Sequence, residues 1–373
     1  YGRAFAAIAG AGVALLGTIT AVNVPLLDPS ITSLTPVLRS NFWLAIHVLT
    51  IVSSYAAFAL AWGLGLIAMG YYLTATYRRT PTYRELTLPL LTALPLLAVG
   101  ATGVAASYAA FGEQWLLSDP LFYAFAVFAG LGEMMVLAVV LAVAGEAVNR
   151  WSFRRRLAVV SANSAHESSR SEAMAHARPH ESFVGAVNAE EGGVATLTKP
   201  TVDEIRSKGG TAWGNLDERG LAMQATARVI KPISNFVYRA MQVGVLLVAA
   251  GTILGGVWAD YSWGRFWGWD PKEVWALITL LVYLVPLHGR FAGWVNTFGL
   301  MISSVVCFLS VVMAWYGVNF VLGVGLHSYG FVDGGSQGMM MLIIAGVMSI
   351  PLAAAWRRTL GYSQLIADPT TQV

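Results

Sequence analysis

The sequence predicts an all-α polytopic membrane bundle of about eight transmembrane helices, and three observations carry that expectation. Of 373 residues, 56% are hydrophobic and only 12% are charged, against about 25% charged in an ordinary soluble domain. A chain of this length with half the usual charge cannot hide its apolar surface from water, so lipid must cover part of it. Eight stretches reach the roughly 20 apolar residues that a spanning helix needs: 4–25, 43–76, 87–109, 120–145, 234–258, 271–288, 292–316 and 336–356. No strand-like alternation competes with them, and the bilayer admits only helices or closed barrels.

The arginines order these spans across the membrane. Positive residues concentrate in cytoplasmic loops. Arg78, Arg79 and Arg84 follow the second span, and Arg150, Arg154, Arg155 and Arg156 follow the fourth. Arg290 follows the sixth, and Arg357 and Arg358 the eighth. The alternate loops are poor in Lys and Arg: 26–42 carries Arg39, 259–272 carries Arg265 and Lys272, and 110–119 and 317–335 carry none. Both termini are therefore expected in the cytoplasm. The loops near 30, 115, 265 and 325 are expected on the periplasmic side, or its thylakoid equivalent.

Composition divides the chain further. Residues 1–150 read as a four-helix half and 233–358 as another, with 359–373 as a cytoplasmic tail. Between them, 151–232 reads as a cytoplasmic insert. Its segment Ser161–His180 is rich in Ser, Ala, His, Glu and Arg and offers too little apolar surface to offset ordering entropy. His166, His176 and His180 lie there and read as solvated linker residues. Thr201–Lys208 is a candidate short helix, and Ala227–Arg239 reads as an approach to the fifth span along the membrane surface. The net charge of +3 is too small and scattered to argue for nucleic acid. Cys307, the single cysteine, allows no intrachain disulfide and no Cys-x-x-Cys site, and reads as buried. The chain opens on Tyr1 rather than Met, so an N-terminal portion is expected beyond it, and no signal peptide can be read.

The most informative stretch is the loop 259–272 with its flanks. Trp258, Trp263, Trp267, Trp269 and Trp275 put five of the chain's 13 tryptophans within eighteen residues. Indoles offer flat, polarisable faces suited to a large planar apolar ligand. Gly264 and Gly268 permit close backbone approach, and Arg265 and Lys272 are placed to neutralise carboxylates on such a ligand. An interfacial aromatic belt uses the same residues, and spacing alone does not separate the two. Asp270-Pro271-Lys272-Glu273 has its own local reading. Asp at N-cap, Pro at N1 and Glu at N3 resemble a capping box that starts the sixth span.

Three histidines lie outside the insert. His47, near the start of the second span, and His327, in the last alternate loop, fall on the same side as the tryptophans. Paired neutral imidazoles are a standard way to hold haem iron. His288 lies fifteen residues past Glu273, about 22 Å deeper along a helix, and Pro286 and Gly289 flank it, so a bend or a helix end is expected. An ionisable residue within a span is a functional candidate. Glu133, at the centre of the fourth span, is another, and is expected to be protonated or hydrogen-bonded to a neighbouring helix.

Taken together, Trp263-Gly-Arg-Phe-Trp267-Gly-Trp269-Asp270-Pro-Lys-Glu273 resembles the tryptophan-rich "WWD" signature of haem-handling proteins. The continuation Val274-Trp-Ala-Leu-Ile-Thr, the segment Pro286-Leu-His288-Gly-Arg, the opening Trp43-Leu-Ala-Ile-His47-Val and the closing Gly325-Leu-His327-Ser-Tyr-Gly are similar to the CcsA (ResC) branch, less to the CcmC and CcmF branches. The likeness spans all eight stretches and leaves the insert out. It implies that His47 and His327 are axial ligands of a periplasmic haem presented on the WWD loop. Trp258, Trp263, Trp267, Trp269, Asp270, Arg265 and Lys272 would contact that haem. His288 would ligate a second, transmembrane haem, its opposing ligand coming from a CcsB (ResB) subunit or fused half.

The implied function is export of haem b and its presentation to an apocytochrome c Cys-x-x-Cys-His segment, as part of a holocytochrome c synthase in a bacterial inner membrane. No side chain is then needed as nucleophile, because the substrate's thiols fill that role and catalysis is positioning. Two other readings remain. One is a bis-His electron-transfer cytochrome, which would leave the tryptophan loop without a task. The other is a haem transporter without ligation activity, which would use the same residues.

Overall fold

A computed structural model of the chain describes residues 41–115, 120–176, 218–322 and 337–361, with six positions between 8 and 15. Its elements are α1 (Asn41–Thr74), α2 (Tyr83–Thr87), α3 (Leu90–Trp115), α4 (Pro120–His176), α5 (Glu218–Trp263) and α6 (Pro271–Phe291). There follow α7 (Thr297–Val306), α8 (Phe308–Val312), a π-helical run Met313–Leu322, and α9 (Gln337–Gly361). Among the described residues there is no strand. Among the described residues seven helical stretches are long and apolar enough to cross a membrane, so the chain is an integral membrane protein with an all-α bundle. The expected first span, 4–25, lies almost wholly outside the described residues.

Most helix starts fall within a few residues of the expected ones, but α5 begins at Glu218 rather than 234, and several ends run on. Residues 151–176 and 218–232, read from composition as flexible insert, are helical. Their Ala, Glu and Arg are good helix formers, so the backbone continues after the apolar run stops. Ala227–Arg239, read as the approach to the fifth span, is continuous with it as part of α5. Thr201–Lys208 and His180 lie outside the described residues. α9 runs on to Gly361, which carries Arg357 inside the helix rather than after it.

The core is built on α1 and α5, which pack antiparallel. A side chain at Gly244, Gly251 or Gly255 of α5 would collide with Phe58, Ile51 or His47 of α1, respectively. One series climbs by seven and then four residues while the other falls by the same steps, so the two helices hold one fixed register. Glycine at these crossings lets the backbones close, which is how membrane helices gain packing where lipid offers no hydrophobic drive. Phe58 stacks on Tyr283 of α6 at 3.8 Å between centroids, and Met241, Val245 and Val248 with Leu300 and Met301 of α7 complete the centre. α3 and α4 form a second antiparallel pair through Gly100 and Gly132, which leave room only for the backbones of Ala129 and Leu97.

Two local features follow from sequence chemistry. Pro286 has no N–H, so the carbonyl of Val282 loses its intrahelical partner. The Cys307 thiol approaches that carbonyl at 3.7 Å, which gives the single buried cysteine a structural task. The helix is not broken at Pro286; it runs to Phe291, and Gly293, with φ +80, follows the C-cap. Trp294 N–H then closes back on the Gly289 carbonyl at 2.8 Å, as a glycine in the left-handed region allows.

At the arginine-rich end the links are polar and buried. Arg357 Nη2 donates to Glu146 Oε2 at 2.7 Å, and Arg150 Nε donates to Glu146 Oε1 at 2.8 Å. Arg357 also reaches the Tyr72 carbonyl at 3.2 Å, and Arg150 the Pro81 carbonyl at 2.6 Å. Arg219 binds Thr80 Oγ1 at 2.8 Å. The turn after α1 is thus stitched to α4, α5 and α9.

Candidate functional site

The tryptophan end of the bundle is shaped by the capping chemistry read from the sequence. Asp270 is the N-cap of α6, Pro271 is N1, and both halves of the capping box are present. The Glu273 carboxylate accepts from the Asp270 N–H at 3.2 Å and also from the Gly268 N–H at 2.8 Å. Arg265 Nη1 lies 3.9 Å from the other Glu273 oxygen. One carboxylate therefore ties the loop at both sides of Trp269. That residue adopts φ 56, in the left-handed region that costs a bulky residue energy, and stays 72% exposed. Gly264, with φ +71, ends α5 with its N–H on the Asp260 carbonyl, so the loop leaves α5 and enters α6 through two fixed corners.

The tryptophans divide into two sets. Trp258 is fully buried on α5 and meets Trp263 edge-on at 4.7 Å. Trp267 faces a cavity, and Trp269 stands perpendicular to it at 6.0 Å. Trp275 belongs to the first turns of α6.

The cavity has a volume of about 230 Å³ and lies among α1, α5, the loop, α6 and the π-helical run. His47, Tyr55, Trp258, Trp267, Lys272 and Trp315 line it. His47 Nδ1 lies 2.7 Å from the Gly251 carbonyl of α5. Lys272 Nζ donates to Asn319 Oδ1 at 2.8 Å, so the ammonium is held at the rim of an otherwise aromatic wall. The π-helical run supplies Asn319 and Trp315. A π turn is rare and usually occurs as a single-turn bulge, often at functional sites, and here ten residues adopt it.

His47, Trp258, Trp267 and Lys272 line this cavity, Asp270 caps α6 beside it, and Trp263, Arg265 and Trp269 are not among its lining residues. His327 lies outside the described residues. His288 stands apart, on the exposed face of α6 with Nδ1 2.8 Å from the Leu284 carbonyl. Leu281, Val285, Phe291 and Trp294 are exposed along that side too. Glu133 is half-buried on α4, and no described residue supplies it with a hydrogen bond or an ion pair. The Gly251–Gly255 turn carries no sequence signal for the site, whereas Asn319 and Tyr55 fall in Gly317-Val-Asn-Phe and Ser54-Tyr, segments that also resemble the CcsA branch, with no individual role attached to either. Asn319 was detectable as a lone amide in an apolar run.

Chemically, the cavity offers one imidazole, flat aromatic walls, the Lys272 ammonium and the Glu273 carboxylate. That set suits a planar apolar ligand with a metal centre and an anionic edge. At about 230 Å³ it is smaller than the roughly 300–1,000 Å³ of most ligand clefts. Among the described residues no group of three metal-ligating side chains occurs.

Comparison with known proteins agrees with this chemistry. The family described as Cytochrome C assembly protein matches residues 3–327. A cytochrome c biogenesis protein CcsA of Pinus thunbergii is 41% identical over 107 residues, covering 28% of this chain and 33% of the relative. The protein of that name from Synechococcus sp. (strain RCC307) is 47% identical over 107 residues, covering 26% and 32%. That of Marchantia polymorpha is 43% identical over 106 residues, covering 28% and 32%. The matched segment thus spans about a third of these relatives' length.

Proposed function

We propose a function from one premise, that the chain belongs to the Cytochrome C assembly protein family: it carries haem to the tryptophan end of the bundle and presents it for covalent attachment to an apocytochrome c. The observation that supports this most directly is the convergence of His47, Trp267 and Lys272 on one cavity. His47 is one axial ligand and His327 the opposing one. The indoles hold the porphyrin plane, and Lys272 and Arg265 meet its propionates. Haem b is the cargo, since it arrives with its own four equatorial nitrogens and needs only axial imidazoles from the protein.

The residues then act by placement. A Cys-x-x-Cys-His segment brings two thiols and its own imidazole. Each thiol adds across one vinyl group, the sulfur bonding one carbon and a proton reaching the other, and the incoming His displaces a protein ligand. Holding the vinyl edge and the thiols together supplies the rate. The tryptophan end faces the extracytoplasmic side of a bacterial inner membrane, following the arginine distribution. His288 lies on an exposed apolar face of α6. It serves a second haem shared with a CcsB-type subunit or fused half, which supplies the opposing ligand.

The test is the absorption spectrum of the detergent-purified chain, co-expressed with its partner, beside His47→Ala and His327→Ala. A Soret band lost or shifted in both variants is expected. An unchanged band in both sinks the ligand pair. Thioether formation on an added apocytochrome peptide separates a synthase from a transporter without ligation activity.

A further inference from the structure

His47 is held by something no motif describes. Its Nδ1 lies 2.7 Å from the carbonyl of Gly251, 204 residues away on another helix. A carbonyl oxygen has no proton to give, so the shared proton sits on Nδ1. The imidazole also lies flat against Gly255, one turn further along α5. A Cβ there would stand 2.6 Å from the ring's Cε1 and 2.8 Å from Nδ1. Gly256, the next residue, leaves the same kind of room for the Phe266 ring of the tryptophan loop. His288 offers a contrast: its Nδ1 meets the carbonyl of Leu284, four residues back on its own helix. The setting of His288 is local, whereas that of His47 depends on the register between α1 and α5.

We propose that Gly251 and Gly255 are positioning residues for the haem ligand, fixing His47 as its Nδ1–H tautomer so that Nε2 is the nitrogen presented to iron. The Gly251 carbonyl supplies the outer-shell acceptor that a metal-bound histidine normally has, which orients the ring and raises its basicity. Gly255 supplies the space. The inference rests on the reading that His47 ligates haem, and it names which atom does so and what holds it.

Two measurements test it. In the haem-free full chain labelled with ¹⁵N at its histidine rings, the His47 resonances are identified by their loss in His47→Ala. A protonated Nδ1 and an unprotonated Nε2 are expected, and the reverse pattern overturns the proposal whatever haem does. In the haem-loaded protein with its partner, Gly255→Ala is compared with Gly130→Ala, whose new methyl meets nothing within 4 Å. The expected result for Gly255→Ala is roughly 10–100-fold easier haem loss, the usual consequence of a disturbed outer shell, with the reduction potential of the retained haem moved upward. The His288 ring signals should stay where they are. A Gly255→Ala protein that binds haem with unchanged affinity and potential overturns the proposal while leaving His47 as ligand. A His47→Ala protein with an unchanged spectrum overturns the functional reading instead.

Discussion

Arg357 and Glu146 form an ion pair at 2.7 Å with neither side chain exposed to solvent. They lie 211 residues apart and join α9 to α4. Such a pair stabilises little against well-packed apolar residues, but removing one partner strands a buried charge. Breaking a buried pair typically costs about 3–5 kcal/mol. Glu146→Ala and Arg357→Met are each expected to lower the unfolding temperature in detergent sharply. The double variant Glu146→Leu with Arg357→Met should recover much of that loss. If the double variant is as unstable as the sum of the singles, the pair is not the coupled unit described.

This pair also marks what the sequence could and could not reveal. Arginines were counted as loop charges, and Arg357 followed an apolar run that looked finished; nothing local announces that Glu146 awaits it on another helix. The α6 start was legible because capping is local: Asp270, Pro271 and Glu273 carry the whole instruction within four residues. His47 and Lys272 are legible as candidates, since a histidine and a lysine at the ends of apolar spans stand out from their surroundings. Their partners are not. Gly251 and Asn319 matter only through the packing of α5 on α1 and of the π-helical run on α6. The helical ends of the insert are not legible from composition, because low apolar content argues against burial while helix formation by Ala, Glu and Arg does not require it.

Lys272 and Asn319 form a charge-assisted contact at 2.8 Å at the cavity rim. With haem absent, the amide oxygen occupies the ammonium; with haem present, a propionate is the stronger acceptor because it is charged. Lys272→Met is therefore expected to lower haem content per protein, measured as the pyridine haemochrome. Asn319→Ala should lower it less, since the ammonium remains. Equal losses in the two variants would mean that Asn319 contributes more than a resting place for the lysine.

His288 is exposed, and among the described residues its ring meets a carbonyl of its own helix. Surface substitutions away from special features usually change stability by no more than about 0.5 kcal/mol. His288→Ala should leave thermal unfolding of the chain as it was. It should also leave the His47-dependent part of the spectrum, while removing a separate haem signal that appears only when the partner half is present. A signal that survives His288→Ala would place that second haem elsewhere.

Trp269 combines a left-handed backbone, φ 56, with an indole that is 72% exposed. A non-glycine residue in that region is strained by roughly 1–3 kcal/mol, and the edge-on contact with Trp267 returns only part of it, because the ring is mostly exposed. What holds it is Glu273, which accepts the N–H groups of Gly268 and Asp270 on either side. Two variants separate strain from use. Trp269→Gly removes the strain and the ring together, so thermal stability should hold or rise while thioether formation on an apocytochrome peptide falls. Glu273→Ala releases the loop but keeps the ring, so stability should fall and the same activity should fall with it. If Trp269→Gly retains full activity, the strained indole does not contact haem or peptide, and the loop's outward tryptophan is an anchor at the membrane surface.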